Sequence, residues 1–459
     1  MENLNDTIAA ISTAVGEAGI AIVRMSGEES VDIIDKIFVA KNKKKMKDAE
    51  NRKFVYGHIF DGDKPVDEVL VVKMKGPHSY TAEDIVEVHC HGGIVAVTRI
   101  LNLLLENGAR LAERGEFTKR GFLNGRIDLT QAEGIIDMIK AKTEVSFDIG
   151  LNQLSGSLST ILNKMQDELI SMQALIVANI DFPDDEIEDA TYEELEKRYE
   201  GIVSKIDNLL ENSKSSRLLR DGINTVILGK PNVGKSSLLN GLLRYDRAIV
   251  TDIAGTTRDI IEDYINLDGV LLKITDTAGI RETEDEVEKI GVSIAKDKLK
   301  DADLVIAIFD LSRKFDDDDK EILSLIKDKK HIIILNKDDL PQEISDEEIK
   351  ENFKDDYLKL SVMENESIKE IEDLIKDMFF DGEIKISSAG VLSNIRHINA
   401  LKEAKKDLQA VKMGIDQKVF LDLIAVDLEN VINHISEITG TITTEDILDR
   451  VFSEFCIGK

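Results

Sequence analysis

The chain has 459 residues, and its 59 Lys+Arg against 89 Asp+Glu leave a formal net charge of 59 − 89 = −30. A field of that sign repels polyanions, which excludes a protein whose surface as a whole binds nucleic acid or an anionic membrane. Zero Trp and 5% aromatic residues disfavour a stacking platform for bases, and two cysteines, Cys90 and Cys456, are too few and too far apart for a disulfide framework. At about 150 residues per domain, this length suggests roughly three domains.

Residues 1–120 mix short β-like runs (20–25, 69–74, 85–89) with helical stretches such as 95–106, as in a small α+β domain. From Leu129 the pattern turns helical. Leu158, Ile161, Leu162, Met165, Leu169, Met172 and Ile176 recur at steps of three and four and share one helix face, a core stripe. A second helical stretch (Ile202, Val203, Ile206, Leu209, Leu210) leads into the β-branched run 225–228. From there to about 385, apolar strands (271–274, 304–309, 332–335) alternate with helical patterns, the signature of a parallel sheet with crossover helices. After 387 helices return, with Ile424, Leu428, Val431, Ile432 and Ile435 in register. The expected architecture is multidomain, α/β and all-α. It has an N-terminal α+β domain (1–120), a helical domain in two parts (121–220 and 386–459), and an α/β domain (221–385) inserted between them. The N-terminus lacks a basic segment and the apolar runs are too short to span a bilayer, so a cytoplasmic protein without membrane attachment is expected.

Charge is unevenly spread. Residues 1–125 sum to 17 − 19 = −2, whereas 229–385 sum to 24 − 39 = −15. Any direct contact with a polyanion is least unfavourable near the ends. The acidic run 316–319 reads as a solvated loop.

The strand 225–228 runs into GKPNVGKS (229–236), which fits GxxxxGK(S/T) in the required strand–loop–helix setting. Loop N–H groups, with Asn232, Val233, Gly234 and Ser237, would wrap the phosphates. Lys235 would place a cation on the terminal phosphates, and the Ser236 hydroxyl can ligate Mg²⁺. The strand 271–275 ends in DTAG, where Asp276, Thr277, Ala278 and Gly279 suit the Mg²⁺ shell and γ-phosphate sensing. The strand 332–335 ends in NKDD, with Asn336, Lys337 and Asp339. The Asp339 carboxylate would accept from guanine N1–H and N2–H₂, a donor pair adenine lacks, so the base is that of GTP or GDP. A fifth nucleotide motif falls at Ser361–Val362–Met363, where a backbone N–H contact is compatible with the departure from Ser-Ala-Lys. Ile280 follows DTAG where Ras-like enzymes carry a water-positioning Gln. Another group is therefore needed, and the stretch 281–289 offers Glu284, Asp285, Glu286 and Glu288 without spacing alone choosing among them.

In DIVEVHCHGG (84–93) Glu87, His89 and His91 alternate, so on a strand they share a face. A metal triad there lacks a fourth ligand. Cys456 reads as a small buried apolar residue, the commoner role of a free cysteine.

GKPNVGKSSLLN, TDIAGTTRD (251–259), DTAGIRETEDEVEKIG, DFPDDEI (181–187) and the terminal FCIGK together resemble the bacterial tRNA-modification GTPases of the MnmE (TrmE) family along essentially the whole chain. The resemblance implies a Ras-like P-loop G domain inserted in the helical domain, and a homodimer built through the N-terminal, folate-binding-like domain. It also implies work with an FAD-dependent partner protein at C5 of the wobble uridine of certain tRNAs, using a one-carbon unit from 5-formyltetrahydrofolate. On the same basis a K⁺ ion would sit on Asn232, Thr251, Ile253 and Thr256 in place of an arginine finger. Asp252, Ala254 and Gly255 would complete the nucleotide loop, and Thr257 would join Ser236 on Mg²⁺. Glu288 would orient water, with Lys235 as the second catalytic group. Arg24, Glu87, Arg126 and Lys459 match the family's folate contacts. The rival expectation is a regulatory or ribosome-assembly GTPase, which would share the nucleotide motifs but not Arg24, Glu87 and FCIGK.

Overall fold

Residues 6–181, 185–245, 263–274, 299–354, 356–380 and 390–459 are described by the computed structural model. They fall into two compact units, one of Met1–Ile136, Gln153–Ile202 and Glu403–Lys459, the other of Asp137–Asn152 and Val203–Lys402. Among the described residues, no helix is long and apolar enough to cross a membrane.

In the first unit, strands β1 (Ile8–Ile11), β2 (Ala18–Ser26), β3 (Phe38–Ala40), β4 (Val55–Asp61), β5 (Lys64–Met74), β6 (Ile85–Gly92) and β7 (Arg110–Leu111) form a sheet. Their order is β3-β4-β5-β6-β2-β1-β7. All neighbours are antiparallel except β1 and β7. Along β6, Val86, Val88 and Cys90 are buried while Glu87, His89 and His91 take the other face, as period-two alternation dictates. Helices Ser30–Ile37 and Ile94–Glu106 cover the buried face through Ile33, Ile34, Val97, Ile100 and Leu104. Helix Ser157–Asp181 carries the expected stripe: Leu158, Leu162, Met165, Leu169, Met172 and Ile176 are fully buried. It packs on helix Leu421–Thr439, whose Ile424, Leu428, Val431, Ile432 and Ile435 are buried in turn, and Gln166 Nε2 donates to Ser436 Oγ at 3.0 Å.

In the second unit, β8 (Ile223–Leu228), β9 (Asp263–Leu267), β10 (Val270–Ile274), β11 (Leu304–Asp310), β12 (His331–Asn336) and β13 (Tyr357–Lys359) form a sheet in the order β13-β12-β11-β8-β10-β9. Every residue of β11 is buried, the mark of a central parallel strand covered on both faces. The strands expected at 271–274, 304–309 and 332–335 run parallel with β8, and the edge strand β9, which the sequence pattern did not pick out, is antiparallel to β10. The cause of the reversal is local. Asp268 and Gly269 both have positive φ (48° and 96°), which closes a two-residue hairpin. Ile149 of helix Glu144–Leu154 joins this unit's core, and Arg220 forks onto Asp137 at 2.7 and 2.8 Å.

The acidic run 316–319 is not a solvated loop. Asp316 caps helix Asp317–Ile326, accepting from the Asp318 and Asp319 amides, while the Asp319 carboxylate returns to the Asp316 N–H. The carboxylates complement the positive end of the helix, which the sequence-level count of charge did not register.

Candidate functional sites

Among the described residues, the glycine-rich loop, NKDD and the fifth motif converge at the C-terminal edge of the second sheet. The helix Lys235–Tyr245 begins directly after the glycine-rich loop, so its unpaired N–H groups face out of the loop's end. Gly234 has φ 114°, and a Cβ there would stand 2.2 Å from Asn336 Nδ2, so the position admits only glycine. Asn336 is buried and joins two motifs. Its Nδ2 donates to Val233 O at 2.7 Å, and its Oδ1 accepts from Val362 N at 3.0 Å. The fifth motif is therefore anchored by a backbone N–H, and Val362 is buried while Met363 is exposed.

Lys235 Nζ donates to Gly229 O at 2.6 Å and Lys230 O at 2.7 Å. Burial pushes its pKa down, a cost that an anion beside it would offset. Lys337, with φ 66°, spans to Asn232 O (3.0 Å) and to Asp310 Oδ2 (2.6 Å). Burial raises the Asp310 carboxyl, but Lys337 and Ser312 outweigh it and hold the group below the usual carboxylate range. Asp310 is a site residue that sequence reasoning missed. Its only signal is a carboxylate ending an otherwise apolar strand. Asn232, Ser236 and Asp339 are exposed, Ser237 is half-buried and Ser361 is buried. Thr251, Asp252, Ile253, Ala254, Gly255, Thr256, Thr257, Asp276, Thr277, Ala278, Gly279 and Glu288 lie outside the described residues.

A second constellation lies on the first sheet. Arg24 and Glu87 stand directly opposite each other on β2 and β6, and Arg24 Nε donates to Glu87 Oε1 at 2.8 Å. Tyr80 gathers a third member: the guanidinium carbons of Arg24 and Arg126 lie 5.3 and 4.7 Å from its ring centroid. Phe117 backs Arg24 at 5.7 Å. Arg24 Nη1 is buried without a hydrogen-bond partner among the described residues, a donor suited to an acceptor or anionic ligand. Tyr80 and Phe117 were not singled out in the sequence because no motif marks them, and His89, whose Nε2 is 3.4 Å from Glu87 Oε2, was read there only as a member of a metal triad. His91 instead binds Asp67 through Nδ1 at 2.7 Å, away from Glu87. Cys90 is buried, and burial followed by the Asp67 charge pushes its thiol up to about 11, so it is an inert core group.

The FCIGK segment docks on the first unit. Phe455 is buried with Phe452 and Ile127, Ile457 bridges to Arg114, and Gly458 O accepts from Ser12 Oγ at 3.0 Å. Lys459 is thereby held beside the end of β1, half-buried, with no ion pair to Glu87 among the described residues. Cys456 is exposed, correcting the expectation of a buried apolar residue: Phe455 takes the core position and the next side chain points outward. Gly458 has φ 96°, and a Cβ would meet Ile11 O at 2.2 Å. Gly458→Ala is expected to cost roughly 1–3 kcal/mol and release the segment, read as faster hydrogen exchange at Gly115 and Ile457.

A sheet of this order, with a P-loop after β8 and NKxD after β12, defines a Ras-like P-loop GTPase. A family model described as the MnmE helical domain matches residues 129–456, and one described as the GTP-binding protein TrmE N-terminus matches 7–126. Curated relatives named tRNA modification GTPase MnmE include those of Finegoldia magna (50% identical over 99% of this chain and 100% of the relative) and Alkaliphilus metalliredigens (50%, 99% and 100%). That of Clostridioides difficile is 47% identical with the same coverage. The chain belongs to the MnmE (TrmE) family. Among solved structures it is similar to a variant of Aquifex aeolicus Era bound to GDP and AlF4⁻, 29% identical over 40% of this chain and 66% of that chain, with a TM-score of 0.28.

Proposed function

We propose that this GTPase works in tRNA modification at C5 of the wobble uridine (position 34), together with an FAD-dependent partner protein and as a homodimer in the cytoplasm. The observation that carries the reading is the pairing of a guanine-nucleotide site with the Arg24–Glu87–Tyr80–Arg126 constellation and the docked FCIGK segment in one chain. A regulatory switch needs only the first. The division into 1–120, 121–220, 221–385 and 386–459 is part of the same proposal.

At the nucleotide site Lys235 holds the terminal phosphates and Asp339 orients guanine. Ser236 and Thr257 would hold Mg²⁺, and Asn232, Thr251, Ile253 and Thr256 would hold K⁺. These cations supply charge stabilisation at the phosphates. Glu288 orients the attacking water. At the second site the unpartnered Arg24 Nη1 and the Arg126 guanidinium suit the acceptor and carboxylate groups of a 5-formyltetrahydrofolate-type ligand, and Glu87 its donors. Such a folate supplies the one-carbon unit when bound, and Lys459 would close over it.

Nucleosides from a deletion strain, resolved by mass spectrometry, should lose C5-modified wobble uridine, and an unchanged profile would refute the assignment. GTP turnover should be at least about ten-fold faster in K⁺ than in Na⁺, and equal rates would remove the monovalent-cation reading alone.

A further inference from the structure

Every carbonyl of the phosphate loop from Gly229 to Gly234 accepts a hydrogen bond. Lys235 takes those of Gly229 and Lys230, Arg313 Nη1 that of Pro231 (3.3 Å), Lys337 that of Asn232, Asn336 that of Val233, and the Leu238 amide that of Gly234. With its acceptors engaged, the loop keeps its N–H groups for phosphate. Two of the holding groups come from inside the guanine motif, and one, Arg313, belongs to no nucleotide motif. The Lys230 side chain reaches Asp316 Oδ2 at 2.8 Å and Asp319 Oδ2 at 2.7 Å, and Arg313 lies on the same segment after β11.

The chemistry fits an anchor better than a phosphate ligand. Lys230 is only 16% exposed at its side chain and faces two carboxylates, one of them 7% exposed. Those carboxylates are fixed in turn, because Asp316 and Asp319 form the reciprocal cap of helix Asp317–Ile326. The segment after β11 thus ties a rigid helix start to the lip of the loop. Gly229 permits the approach: a Cβ there would stand 2.6 Å from Ile308 O on β11.

We propose that Lys230, held by Asp316 and Asp319, and Arg313 on Pro231 form a positioning device that sets the phosphate affinity of the loop. The proposal rests on reading this loop as the GTP site. It makes the acidic run a determinant of nucleotide affinity without contact to nucleotide.

The test is titration of the full-length protein with a fluorescent GDP analogue, beside GTP turnover. Lys230→Met should weaken GDP on the order of ten-fold, with a larger change in KM than in kcat. Lys230→Arg, which keeps the charge, should recover most of it, and Asp319→Asn should weaken binding in the same direction. The double variant should bind no worse than the weaker single one, because both remove one interaction. Binding of Lys230→Met within about two-fold of wild type, or additive losses, would overturn the proposal. So would tighter binding by Asp319→Asn, since that is what a phosphate-contacting Lys230 released from a competitor would give. Wild-type protein that bound no GDP would refute the nucleotide reading instead.

Discussion

Asp339→Asn is expected to exchange GTP for xanthosine triphosphate as the substrate. The NKDD sequence offers two adjacent carboxylates, and the structure separates them. Asp338 accepts from Gln342 at 2.8 Å and faces Lys359 at 3.6 Å, whereas Asp339 is exposed and its carboxylate makes no intramolecular hydrogen bond among the described residues. Asp339 is free to read a base. A carboxylate accepts both guanine donors, but an asparagine turns one acceptor into a donor and leaves guanine N2–H₂ facing N–H. Xanthine carries a carbonyl at that carbon, so the amide matches it. A site built around such hydrogen bonds rejects the mismatched base strongly, and kcat/KM for GTP should fall on the order of 10⁴-fold. Turnover should return with xanthosine triphosphate. Retention of GTP turnover in the variant, measured at sub-saturating substrate, would show that Asp339 does not read the base.

Arg120→Ala should be the most destabilising single change in the first unit. Arg120 is 1% exposed and donates to Asp6 Oδ1 (2.6 Å), Asp6 O (2.8 Å), Glu116 Oε1 (2.9 Å) and Glu83 Oε2 (3.2 Å). Arg110 shares Asp6 and Glu116. Truncating the central cation leaves the buried Glu116 and the half-buried Asp6 and Glu83 carboxylates partly unpaired, a change that costs about 3–5 kcal/mol in comparable sites and a melting shift on the order of 10 °C. Arg120→Lys should recover only part, since an ammonium has three donors on one nitrogen and cannot span the four acceptors that the wider, planar guanidinium reaches. The sign with pH follows from the acids. Burial raises Glu116, but Arg110, the Glu113 amide and Arg120 outweigh it, and its pKa is lowered overall, as is that of Asp6. Their contribution is complete above the ordinary carboxylate range and is lost as pH falls through the lowered folded values. Wild-type protein should therefore lose stability in acid, and Arg120→Ala should show a flatter acid limb in thermal melts taken across that range.

Reading the sequence located strand ends and glycine loops well because both are local. The GKPNVGKS loop must follow a strand and start a helix, and β8 and helix Lys235–Tyr245 stand there. The apolar runs at 271–274, 304–309 and 332–335 are strands to within a residue or two. What escaped was pairwise and non-local. Asp310 acquires its role only because Lys337, 27 positions later, folds back on it. Tyr80 matters through two guanidiniums that periodicity cannot bring together. The run 316–319 was misread because charge composition does not distinguish a solvated loop from a reciprocal cap, although Asp at both ends of a four-residue window was available as a clue.

The docking of Gly458 on Ser12 joins residues 446 apart. During synthesis at roughly 5–20 residues per second, the first sheet emerges tens of seconds before the segment that covers the end of β1. Through that interval Ile11, Ser12 and Gly115 face solvent or another chain. The end of β1 is therefore covered only after the intervening P-loop unit has been made. Slow, non-local closure of this kind also sets the period in which a nascent chain is open to wrong pairing.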